Sequence, residues 1–121
     1  MPPGVSASLV PPLTPADARA VAAFANRLRQ SLGDHIAEIR LFGSKARGDA
    51  RPESDIDMLV VVQPETERVR LETAVSDLAF DVSLDHAVHI SPCVLTARVV
   101  HDSTWRDTPF LQTLEREGLR V

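Results

Sequence analysis

The spacing of hydrophobic positions changes several times along the chain, and each change marks an element. Between Thr14 and Gly33 the apolar residues Val21, Phe24, Ala25, Leu28 and Leu32 recur at helical intervals. Thr14 suits the N-cap, Pro15 the first helical position and Asp17 the positive end of the helix dipole, while Gly33 is a natural stop. Ile36 to Phe42 then alternates as a strand, with Ile39 and Leu41 on one face and Arg40 and Phe42 on the other. A second strand is predicted from Asp55 to Val62. Ile56, Met58, Val60 and Val62 share one of its faces, and Asp55, Asp57, Leu59 and Val61 the other. Pro64 ends it.

From Glu65 to about Leu84 the period is helical again, with Val69, Ala74, Val75, Leu78, Ala79 and Val82 as candidate core. Residues 87–95 predict a third strand, and Pro92 inside it argues for an edge position or a bulge. A short helix is expected after Thr96. Another starts at Thr108-Pro109 with Phe110, Leu111 and Leu114 inward and Gly118 as stop, and Leu119 to Val121 can add a last short strand. The order α-β-α-β-α-β-α predicts an α/β (α+β) fold, a small mixed sheet of three to four strands flanked by helices.

Composition narrows the function classes. The 121 residues suit one domain, preceded over residues 1–12 by a leader with four prolines that is expected to be flexible or extended. Aromatic residues are only 4%, too few for the stacking platforms of single-strand binders, and the net charge of −4 is the wrong sign for gripping a phosphate backbone. Direct nucleic-acid binding is therefore not expected. Cys93 is the only cysteine, which excludes an internal disulfide or a thiolate zinc cluster, and it reads as buried and inert. His35, His86 and His101 show no metal-ligand spacing. Without a signal-peptide pattern or a long apolar run, a cytoplasmic location and no membrane association are expected. Trp105 and Phe110 read as core bulk before partner anchors.

The chemistry concentrates between residues 43 and 57. Gly43 follows a strand directly, so the backbone can bend and approach a ligand. Ser44 offers a hydroxyl and a backbone N–H at a helical turn, a cradle for phosphate oxygens. Lys45, Arg47 and Arg51 add positive charge, with Lys45 and Arg47 the candidate phosphate contacts. Asp55 and Asp57 leave the same strand face, and two adjacent carboxylates are hard ligands for Mg²⁺ or Mn²⁺ shared with a nucleoside triphosphate. Each half alone is ordinary. The four identities together at this spacing arise by chance in about one chain in a thousand of this length.

Gly43-Ser44, an intervening stretch and Asp55-Ile56-Asp57 resemble the signature of the DNA polymerase β nucleotidyltransferase superfamily. The fuller run Gly-Ser-Lys-Ala-Arg-Gly-Asp-Ala-Arg-Pro-Glu-Ser-Asp-Ile-Asp is similar to that of the minimal nucleotidyltransferases, often paired with a HEPN-domain protein as toxin and antitoxin. The resemblance runs over about residues 14–121 and implies a nucleotidyltransferase-like domain over 13–121. It further implies that Gly43 and Ser44 hold the triphosphate of ATP, that Asp55 and Asp57 carry the metal, and that AMP passes to a hydroxyl, on a HEPN-type partner a tyrosine. Active members take a third carboxylate from the next strand. Here that strand, Ala87-Val-His-Ile-Ser-Pro-Cys-Val-Leu95, holds none. His89 or Ser91 stands at that place, and His89 can serve as a weak base. Two expectations follow: transfer with two aspartates and His89 as substitute base, or an antitoxin-like module that neutralises its partner by docking.

Overall fold

The computed structural model describes residues 13–43, 45, 54–102 and 108–121. Ser44, Arg47, Gly48, Arg51 and Trp105 lie outside these, as do residues 1–12 and the side chains of Phe110 and Leu114, so the expectations placed on them are not addressed by the fold. Helix α1 (Pro15–Leu32) begins as its sequence dictates: Thr14 is the N-cap and its Oγ1 accepts from the Asp17 N–H at 3.0 Å. After a 3₁₀ turn, Gly33–His35, come β1 (Ile36–Phe42) and β2 (Ile56–Val62). A second 3₁₀ turn, Glu65–Glu67, leads into α2 (Arg68–His86). Then follow β3 (Ile90–Thr96), α3 (Ala97–His101), α4 (Pro109–Glu117) and β4 (Leu119–Arg120).

The sheet is four-stranded and mixed, in the order β3-β2-β1-β4. β1 runs antiparallel to both β2 and β4, whereas β2 and β3 are parallel, joined by the crossover helix α2. Parallel neighbours need such a crossover. β3 lies at the edge, which is where Pro92 is tolerated, because its missing N–H faces away from the ladder.

Strand alternation sorts the interior into two layers. Ile39 and Leu41 of β1 and Ile56, Met58, Val60 and Val62 of β2 face the main core, with Val21, Phe24 and Leu28 of α1 and Leu71, Val75 and Val82 of α2. On the opposite face Leu59 and Val61 form a smaller cluster with Phe42, Cys93, Leu95, Ala97, Val100 and Leu111. Asp57, opposite Phe42 in the ladder, belongs to the strand face of this smaller cluster near the start of β2, and Asp55 stands just before the strand.

Two sequence expectations need correction. Val69 is 70% exposed, not core, and Leu71 takes the buried position. Apolar residues occur on both sides of α2, and its packing against α1 selects Leu71, Val75, Ala79 and Val82, leaving Val69, Phe80 and Leu84 in solvent. The third strand also starts later than expected, at Ile90, because α2 continues to His86 and closes on Ala87 in the left-handed region at φ 54°. Ser83 ties this end together. Its hydroxyl donates to Ala79 O at 2.7 Å and accepts from the Ile90 N–H at 3.0 Å.

The two layers of burial predict unequal costs. Phe24 is fully buried in the main core, so Phe24→Ala should destabilise the domain by about 3–5 kcal/mol. Phe80 is 64% exposed, and Phe80→Ser should cost no more than ~0.5 kcal/mol. Urea unfolding of the two variants beside the wild type measures both.

Candidate nucleotidyl-transfer site

The turn after β1 and the start of β2 meet because these strands pair antiparallel, with Phe42 opposite Asp57. Gly43 follows at φ +74°, a region that disfavours side chains. The contact is closer than conformation alone requires. A β-carbon at Gly43 would lie 2.2 Å from Asp57 Oδ2, 3.1 Å from its Cγ and 3.2 Å from its Cβ. The missing side chain is thus the space that the Asp57 carboxylate fills. Glycine and carboxylate are one feature, although 14 residues of sequence numbering separate them.

Asp55 precedes β2 and its side chain is about half exposed. Its Oδ1 lies 2.8 Å from His89 Nδ1, on the segment that leads into β3. The backbone joins the same two segments, since the Ile56 N–H donates to His89 O at 2.9 Å. One step further along the parallel ladder, Ser91 pairs with Asp57. The neighbouring segment therefore places an imidazole beside the first aspartate and a hydroxyl beside the second, where the resemblance implies a third carboxylate. Asp81 and Asp85 are the acidic residues of the chain that come nearest before this segment. They are exposed on α2, and Asp85 pairs with Arg27 at 2.9 Å.

Lys45 was expected at a phosphate, and its position differs. Its side chain is 1% exposed and its Nζ lies 2.7 Å from Asp17 Oδ2, with the Asp17 side chain 7% exposed. Here the ammonium neutralises a buried carboxylate on α1. Asp17 is the partner of Lys45 that the sequence did not mark. It read as an ordinary acidic residue in a first helical turn, and no local spacing links it to a lysine 28 positions away. Cys93 is half-buried in the smaller cluster, and burial, with the carboxylates of Glu72 and Asp57, pushes its thiol pKa up. The thiol therefore stays protonated and unreactive at neutral pH.

Among the described residues no three His, Cys, Asp or Glu side chains form a group able to hold a metal ion. Asp55 and Asp57, two residues apart, are hard oxygen donors of the type that suits a cation whose remaining ligands are phosphate oxygens and water, the usual condition of Mg²⁺.

A family model described as "Nucleotidyltransferase domain" matches residues 21–117, which includes both strands, the glycine turn and both aspartates. The chain belongs to the nucleotidyltransferase domain family. Its four-stranded mixed sheet with flanking helices is consistent with that membership. The chain is also similar to proteins of Methanocaldococcus jannaschii that carry the provisional name protein adenylyltransferase. One is 32% identical over 90 residues, covering 74% of this chain and 83% of the relative. Another is 32% identical over 76 residues, 62% of this chain and 52% of the relative, so the chain matches about half the length of that protein. A third is 49% identical over 43 residues, 36% of this chain and 43% of the relative. Nucleotidyl transfer is the chemistry of this family. No helix among the described residues of this nucleotidyltransferase-family chain is long and apolar enough to cross a membrane.

Proposed function

We propose that this domain transfers AMP from ATP to a hydroxyl group of a partner protein. The observation that carries the reading is the fit of Gly43 around Asp57, with Asp55 just before the same strand and beside His89. A turn glycine that leaves room for one acidic side chain is needed to hold a carboxylate in place, and is not needed to complete the sheet. The names of the M. jannaschii relatives support the nucleotide and the acceptor class.

In this reading Asp55 and Asp57 hold Mg²⁺ or Mn²⁺. The ion, when bound, draws negative charge from the triphosphate and raises the electrophilicity of the α-phosphorus. Gly43 and Ser44 bring backbone N–H groups to the phosphates, and Arg47 adds charge to the same loop. The acceptor oxygen forms a bond to the α-phosphorus, the bond to the bridging oxygen breaks, and pyrophosphate leaves. His89 takes the proton in this reading. Its Nδ1 faces Asp55 Oδ1, which favours the tautomer protonated at Nδ1 and leaves Nε2 as the accepting nitrogen. The Asp55 carboxylate thereby orients the base as well as binding the cation.

The partner in this proposal is a HEPN-type protein that presents a tyrosine over the site, and the domain acts as an antitoxin. A second reading rests on the missing third carboxylate: the domain neutralises its partner by docking, without transfer. Incubation of the partner with α-labelled ATP and Mg²⁺ or Mn²⁺ separates the two. Under the first reading label enters the partner with wild type, is lost with Asp55→Ala, and falls at least tenfold with His89→Ala. Neutralisation that survives Asp55→Ala with no label transferred by any form establishes docking and refutes transfer.

A further inference from the structure

The buried ion pair behind the glycine turn has a role that the transfer chemistry does not use directly. We infer that Asp17 is a positioning residue for the nucleotide site, holding the turn after β1 in place through Lys45; the inference rests on the reading of that turn as the phosphate cradle. Lys45 stands two residues after Gly43 and next to Ser44. Its side chain turns into the protein, with 1% exposure, and its Nζ reaches Asp17 Oδ2 at 2.7 Å.

Asp17 is itself well fixed. Its N–H donates to Thr14 Oγ1 at 3.0 Å, and the following residues Ala20, Val21 and Phe24 anchor α1 in the main core. The ion pair thus ties Lys45 to a helix anchored in the core, and two positions earlier in the chain Gly43 packs against the Asp57 carboxylate.

A buried ion pair is a poor way to gain stability, because the desolvation of both charges offsets most of their attraction. It does fix geometry. Apolar side chains can slide over one another, whereas an ammonium and a carboxylate out of water accept a narrow range of distance and direction. This is what a cradle for phosphate needs, since binding geometry must be held to within a fraction of an ångström.

Asp17→Asn and the double variant Asp17→Leu, Lys45→Met test the role. The double variant removes both buried charges and keeps the volume filled, so its melting temperature should equal or exceed that of the single variant. Both should bind ATP–Mg²⁺ at least tenfold more weakly by calorimetry, and exchange of the backbone amides at positions 43 and 45 should quicken at least tenfold in both. A double variant with wild-type ATP affinity and wild-type exchange at these amides overturns the inference, as does Asp17→Asn that behaves as wild type in both. Failure of the wild type to bind ATP defeats the reading of the site and leaves the exchange comparison to decide the role of Asp17.

Discussion

Asp57→Asn should reduce transfer of label from ATP on the order of a thousandfold while the domain remains folded. Asparagine keeps the size of the side chain and its fit against Gly43, so the packing recorded there is retained. What it removes is one of the two negative charges that hold the cation in the proposed reading. A cation at a developing phosphoryl charge is worth several kcal/mol, and each 1.4 kcal/mol lost is about a tenfold loss in rate. Single-turnover transfer with a melting curve on the same sample measures both parts of the expectation. A variant that melts as wild type and still transfers at a tenth of its rate or more would remove Asp57 from the machinery.

Gly43→Ala should be nearly as damaging through a different cause. The new β-carbon would stand 2.2 Å from Asp57 Oδ2, with the Asp57 Cγ and Cβ also close at 3.1 and 3.2 Å, so the side chain has to shift. Either the carboxylate or the turn must move, and under the proposed function both put the cation ligand out of register with the phosphates. Alanine also resists φ +74°, at a cost of about 1–2 kcal/mol. Transfer should therefore fall at least a hundredfold, and urea unfolding should show a loss of about 1–2 kcal/mol from the backbone strain plus a contribution from the clash. A double-mutant cycle with Asp57→Ala separates the two contributions: removing the carboxylate should cancel the clash and leave only the strain. Fully additive stability losses would show that the two residues do not interact.

The elements were legible in the chain because their signals are local. Thr14, Pro15 and Gly33 mark the limits of α1, and period-two alternation gives β1 over Ile36–Phe42 and the two faces of β2. Pro92 argued for an edge position or a bulge, and β3 is an edge strand, since a proline cannot complete a central ladder. Counting along the strand put Asp57 on the face of Leu59 and Val61, opposite Phe42. Three features were not legible. Val69 and Leu71 are both apolar and near the start of α2, and only the packing of that helix on α1 decides which is buried. Lys45 looked like a phosphate ligand because it neighbours Ser44, but its partner Asp17 comes from a helix that folds against the turn. The closeness of Gly43 to Asp57 depends on the antiparallel register of β1 and β2.

The sequence by itself determined the elements, the alternation of faces and the identity of the family, because each depends on residue types at short, fixed spacing. The tertiary structure decided which charges meet. It turned Lys45 inward to Asp17, set His89 beside Asp55 and Ser91 beside Asp57, and filled the space at Gly43 with a carboxylate. Charge pairing acts through space over a few ångströms, and strand register and helix packing bring to that distance residues that the chain keeps far apart.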